Sequence, residues 1–210
     1  ILFLSESDST RTPDWLVPRN FHNDGCYVVR LGSVVKWLGE QGSEATRLAE
    51  AVATISAPVD LMAAGNILEV GFCKVYTWRF LRTMKAKSLI KLRQHPGIFR
   101  EQVMLRARTL REFDNEVTAP LHGYRDTDDY WTRGSAKPGL INVKVPTLVL
   151  NARNDPFLPA SALPTPAAVS PQVTLDFPEH GGHVGFLDGA FPGDGRWMPR
   201  RVFHFFDHGN

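Results

Sequence analysis

The chain has 210 residues, a net charge of +2, 22% charged residues and 43% hydrophobic residues. This is ordinary globular composition, which excludes wholesale disorder and fits one domain or one domain with a sizeable insertion. Two cysteines, Cys26 and Cys73, are too few for a disulfide framework or a four-cysteine zinc site, and no apolar run approaches the ~20 residues that a membrane helix requires.

The chain opens at Ile1 rather than at a methionine, and Ile1-Leu2-Phe3-Leu4 has neither the basic flank nor the length of a signal peptide. The lack of a signal segment leads to the expectation of a cytoplasmic protein, and the opening at Ile1 to the expectation that the amino end is incomplete. Ser5 to Asn20 has no apolar period and reads as loop. Tyr27-Val28-Val29 is a short strand, followed by a helix with Val34, Trp37 and Leu38 on one face, stopped at Gly42. Ala51 to Ile55 is a buried strand ended by Pro58.

From about residue 60 to 140 the pattern turns helical. Phe80, Leu81, Met84, Leu89 and Leu92 recur at roughly helical spacing, Pro96-Gly97 interrupts them, and Val103 to Phe113 reads as a resumed helix. The charge is polarised: Lys74 to Arg111 carries eleven Lys/Arg against Glu101, and Glu112 to Tyr130 carries six acids against Arg125. A solvated helix surface facing an acidic neighbour accounts for this, and so does a weak contact with an anionic membrane surface. The near-balanced total charge and the lack of a binding motif argue against nucleic acid.

Val145 to Leu150 and Val173 to Phe177 are strands, and Trp197 to Phe206 is a closing helix. The first of these strands has no polar alternation, as expected for a parallel strand buried on both faces. The elements read as strand, loop, helix, strand, loop, helix, a βαβα order that places a helix between the two strands and favours a parallel α/β sheet. Loops following strands of a parallel sheet are where sites form, and two such loops stand out. Asn154-Asp155-Pro156-Phe157 holds an aspartate in a fixed turn, which a plain Asx-turn also explains. Pro178 to Phe186 carries His183 among glycines. His180 and His183 with Asp155 or Glu179 could instead hold a metal, although no helical His/Glu motif supports that. An aspartate followed 28 residues later by a histidine, both at strand ends, fits the acid and base of a nucleophile–acid–histidine triad in the α/β-hydrolase order.

Seven segments in one order resemble the YheT-like branch of the α/β-hydrolases. They are Ile55 to Leu61, Gly71 to Tyr76, Arg111-Glu112-Phe113-Asp114, Leu121-His122-Gly123-Tyr124 with Asp128 to Trp131, Ser135-Ala136-Lys137-Pro138, Asn154 to Phe157, and His180 to Phe186. The resemblance covers roughly Lys36 to the carboxyl end. It implies an incomplete α/β-hydrolase fold, with partial core in residues 27–59 and 141–210, a helical cap insertion at 60–140, and residues 1–26 unassigned. It also implies a serine hydrolase of carboxylic esters such as acylglycerols, with no cofactor; no metal and no known protein partner are expected. Asp155 is then the triad acid, His183 the base, and His180 a neighbouring motif residue.

The chain departs from that pattern where the nucleophile belongs. None of its serines stands in a Gly-x-Ser-x-Gly frame. Arg30 occupies the nucleophile position in Arg30-Leu31-Gly32, and a guanidinium, always protonated, cannot attack a carbonyl. Ser33 is the nearest hydroxyl: it is either a replacement nucleophile or the N-cap of the helix it opens. Cys26 and Cys73 are weaker choices. No His-Gly-rich oxyanion loop lies upstream of residue 27. Three readings follow: an ester hydrolase, a truncated catalytically inactive remnant, and a lipid-surface binding module.

Overall fold

The computed structural model describes residues 26–29, 32–189 and 193–209. The reading of Ser5 to Asn20 as loop lies outside them. Four strands, β1 (Cys26–Val29), β2 (Ala51–Ile55), β3 (Thr147–Leu150) and β4 (Val173–Asp176), pair side by side in chain order, and every pairing is parallel. The parallel sheet expected from the sequence is therefore present.

Burial of both sheet faces explains the apolar strands. On one face Val52, Val145 and Val149 pack with Val34, Val35 and Leu38 of helix α1 (Gly32–Gln41). Ala53, Ile55, Leu148 and Leu150 face the other way and pack with Val202 and Phe205 of helix α8 (Trp197–His208). The side chains alternate between two layers of helix, as a doubly covered sheet requires. A 3₁₀ segment, Lys137–Asn142, lies against α1 so closely that a Cβ on Gly39 would come 2.5 Å from the Gly139 carbonyl oxygen. Arg201 Nε, on α8, donates to Asp176 Oδ2 at the end of β4 at 2.6 Å.

Between β2 and β3 lie α2 (Leu61–Leu68), α3 (Cys73–Gln94), α4 (Glu101–Arg106), α5 (Leu110–Phe113), a π-turn at Asp114–Thr118, α6 (Ala119–Leu121) and α7 (Thr127–Gly134). They have a core of their own around Leu81, Phe99, Met104, Phe113 and Val117. The segments that carry the family resemblance here act as struts. Arg111 pairs with Asp128, donates to Asn66 Oδ1 at 3.0 Å and lies over the Trp131 ring at 4.6 Å. Buried Asp114 accepts from Trp131 Nε1 at 2.8 Å and from Thr118 Oγ1 at 2.6 Å. Ser135 Oγ accepts from the Leu61 amide at 2.9 Å and donates to the Trp131 carbonyl at 2.6 Å, which ties the start of α2 to the end of α7.

Two expectations are corrected. Val103 to Phe113 is not one helix. The chain leaves α4 at Ala107, and Thr109 starts α5 afresh in a capping box with Glu112, a local signal stronger than the apolar period across it. The crossover from β3 to β4 carries no α-helix, only 3₁₀ turns at Ala160–Ala162 and Pro166–Ala168; the prolines of that stretch remove amide donors that a helix would use. The polarised charges also meet differently from the expectation. The cations of the basic segment that reach the acidic one are Arg100, on Glu116 at 2.6 Å, and Arg111, while Arg133 pairs with Asp129 from the other side; among the described residues no ion pair links α3 to an acidic side chain. No helix of the described residues is long and apolar enough to cross a membrane.

Candidate active site

The loops after β3 and β4 meet above the carboxyl ends of the strands. Asp155, its side chain only 1% exposed, uses both oxygens: Oδ1 accepts from the Phe157 amide at 2.8 Å, and Oδ2 lies 2.9 Å from His183 Nδ1. The Asx-turn and the triad-like contact are thus not alternatives. The first fixes the carboxylate, and the second uses the oxygen that remains. Pro156 cannot donate, so the turn closes on Phe157.

The glycines bring the histidine there. The Gly185 and Phe186 amides both donate to the Gly181 carbonyl, at 2.9 and 3.1 Å, and Gly182 sits at φ +55. A Cβ on Gly181 would come 2.6 Å from the Phe186 ring and 2.9 Å from Ala152 Cβ, so the turn closes only without a side chain there. Phe186 is buried and stacks on Trp197 at 5.8 Å, anchoring the loop to α8. Asn154 Oδ1 accepts from the Gly182 amide at 2.8 Å and binds the two loops to each other.

Contacts that the motifs did not reveal complete the surroundings. The Phe157 ring packs edge-on against His183 at 4.6 Å and against Tyr76 of α3 at 4.8 Å. Phe80 approaches Phe157 at 6.5 Å. The helical insertion therefore reaches the imidazole through an aromatic bridge. These are contacts between residues far apart in sequence, and nothing local announces them.

The other candidates lie as follows. Ser33 is exposed in the first turn of α1. The helix begins at Gly32, so Ser33 stands one residue inside it and not at the N-cap. Arg30 and Leu31, and the side chain of Cys26, lie outside the described residues. Cys73 opens α3 rather than following a strand, and its Sγ donates to the Pro156 carbonyl at 3.5 Å. His180 is exposed, and Glu179 is engaged with Arg153 at 3.1 Å. Among the described residues no three His, Cys, Asp or Glu side chains converge as a metal site. A shallow concavity along β4, lined by Pro166, Val169, Ser170, Pro171, Val173 and Leu175, includes neither Asp155 nor His183.

Chemically, an aspartate buried against Nδ1 of a partly exposed imidazole fixes the tautomer with its free lone pair on Nε2 and stabilises the imidazolium once Nε2 takes a proton. Such a pair can serve a nucleophile; it cannot replace one.

No family model matches the chain. It is 37% identical over 155 residues to an Escherichia coli protein called "Putative esterase YheT", covering 73% of this chain and 46% of that one. It is 35% identical over 172 residues to mouse "Phospholipase ABHD3", covering 80% of this chain and 41% of that protein. To human "Monoacylglycerol lipase ABHD2" it is 26% identical over 190 residues, covering 82% of this chain and 44% of that protein. The chain spans about half the length of the curated relatives it matches.

Proposed function

The chain belongs to the YheT-like branch of the α/β-hydrolase superfamily, and from that premise we propose that Asp155 and His183 are the acid and base of a carboxylic-ester hydrolase. The observation that carries the proposal is the 2.9 Å contact between His183 Nδ1 and the buried Asp155 carboxylate above the sheet. The relatives called esterase, phospholipase and monoacylglycerol lipase supply the substrate class: an ester of a fatty acid, in an acylglycerol or a phospholipid.

In the proposed reaction a hydroxyl attacks the ester carbonyl carbon while its proton passes to His183 Nε2. Asp155 stabilises the imidazolium. The tetrahedral intermediate collapses, the C–O bond to the alcohol breaks, and His183 returns the proton to the leaving oxygen. Water repeats the sequence on the acyl-enzyme and releases the acid. Ser33, in the first turn of the helix that follows β1, is the hydroxyl we assign to the attack.

A second reading is favoured by one observation: no serine of the chain stands in the Gly-x-Ser-x-Gly frame, and Arg30 holds the position before Leu31-Gly32. On that reading the chain binds esters without turning them over. Hydrolysis of p-nitrophenyl butyrate by the wild type, Ser33→Ala and His183→Ala separates the two. Ester hydrolysis through Ser33 predicts turnover by the wild type and none above background by either variant. Background rates for all three proteins support the non-catalytic reading.

A further inference from the structure

Helix α3 is unusual in having so little to pack against. Of its 22 residues, only Thr77 and Leu81 are buried, with Met84, Ser88, Leu89 and Leu92 half-buried along the same side. It carries seven Lys/Arg and no Asp or Glu. Lys85 is occupied with the Leu105 and Ala107 carbonyls, at 2.8 and 2.5 Å. Opposite the buried side, at spacings of three or four, stand Val75, Arg79, Arg82, Ala86, Ile90 and Arg93, all exposed. At the amino end of the helix the exposure is aromatic as well: Phe72 is 76% and Trp78 62% exposed, and Arg82 lies 5.9 Å over the Trp78 ring.

A purely solvated helix face has no reason to expose Phe72, Val75, Trp78 and Ile90 to water. A phosphodiester backbone would use the guanidinium groups and gain nothing from the aliphatic residues between them. The two together match a layer of anionic headgroups above an acyl boundary: the cations lie in the headgroup plane, and the apolar side chains enter just below it.

We propose that the outer face of α3 docks on an anionic lipid surface. The position fits the ester-hydrolase reading and deepens it. Cys73 at the start of α3 holds the Pro156 carbonyl, and Tyr76 of α3 packs on Phe157, which packs on His183. A lipid surface on α3 is thereby brought beside the imidazole. The rationale for docking there rests on that reading, but docking itself is measured without turnover.

The test is co-flotation of the 210-residue chain with vesicles of phosphatidylcholine alone or mixed with phosphatidylglycerol, with circular dichroism confirming the fold of each variant. A basic side chain near an anionic surface contributes about fivefold in partition, so R79Q/R82Q is expected to weaken binding to the mixed vesicles about 25-fold. R79K/R82K retains it, and V75S/I90S weakens it at unchanged charge. Equal partition to the two vesicle types overturns the proposal, as does full binding by R79Q/R82Q, or by V75S/I90S together with preference for an oligonucleotide over the vesicles. An ester-inactive chain that still floats with anionic vesicles removes the hydrolase reading and leaves docking intact. An active chain that does not float removes docking alone.

Discussion

Asp155→Asn is the substitution whose outcome depends most closely on the geometry of the site. The side chain is only 1% exposed, and both oxygens are engaged, one with the Phe157 amide and one with His183. Asparagine is nearly isosteric and keeps its carbonyl oxygen on the Phe157 amide, so its NH₂ then faces His183 Nδ1. Two donors cannot meet, so the imidazole adopts the other tautomer, with Nδ1 accepting and Nε2 carrying the proton. The base toward the nucleophile is lost, and so is the carboxylate that stabilises the imidazolium. The corresponding change in a serine triad lowers kcat by about 10⁴, equivalent to about 5.5 kcal/mol of barrier. Stability changes far less, by about 2 kcal/mol, because a neutral hydrogen bond replaces the charge-assisted one and the second N–H of the new amide has no acceptor there. The assay is the initial rate of p-nitrophenyl butyrate hydrolysis as a function of substrate concentration, with a urea melt of the same preparations. Turnover by Asp155→Asn within about tenfold of the wild type would refute the assignment of Asp155 as the acid.

Two further predictions concern the helical insertion. In Gly65→Ala the new Cβ would come 2.4 Å from the Trp131 ring, whose Nε1 donates to buried Asp114. The overpacking and the disturbed hydrogen bond outweigh the gain of about 1 kcal/mol in helix propensity, so the net loss is about 2 kcal/mol, read as a lower urea midpoint; a more stable variant would contradict the close contact. The Glu116 carboxyl is held below its ordinary value chiefly by the hydrogen bond from the Arg100 guanidinium, against the opposing effect of its burial. A lowered folded-state value contributes stability above the unfolded-state carboxylate value of about 4.3 and loses it as the pH falls through the folded-state value. Glu116→Gln is therefore less stable than the wild type at neutral pH, with the gap closing in acid, and a gap that is constant with pH would contradict the coupling.

The pairing of Asp155 with His183 was legible because its signals are local. Each follows a short apolar strand, and each is flanked by turn residues, Asn154 and Pro156 on one side and Gly181, Gly182 and Gly185 on the other. The parallel sheet was legible for the same reason: strands such as Thr147–Leu150 carry no polar alternation. What escaped the sequence is long-range or weakly encoded. The Phe157 bridge between His183 and α3 joins residues about eighty positions apart. The close approach of Gly65 to Trp131 belongs to the packing of α2 on α7. The break at Ala107–Thr109 was hidden beneath an apolar period that continues through it, although Thr109 and Glu112 had the spacing of a capping box.

The most direct test of the central claim, that Asp155 and His183 activate a nucleophile, is labelling with a fluorophosphonate followed by mass spectrometry of the digested chain. The reagent phosphonylates only a hydroxyl whose proton is being withdrawn. The account predicts one adduct, on Ser33, present in the wild type and absent in His183→Ala. No adduct on the wild type, or one of equal yield in His183→Ala, would contradict it.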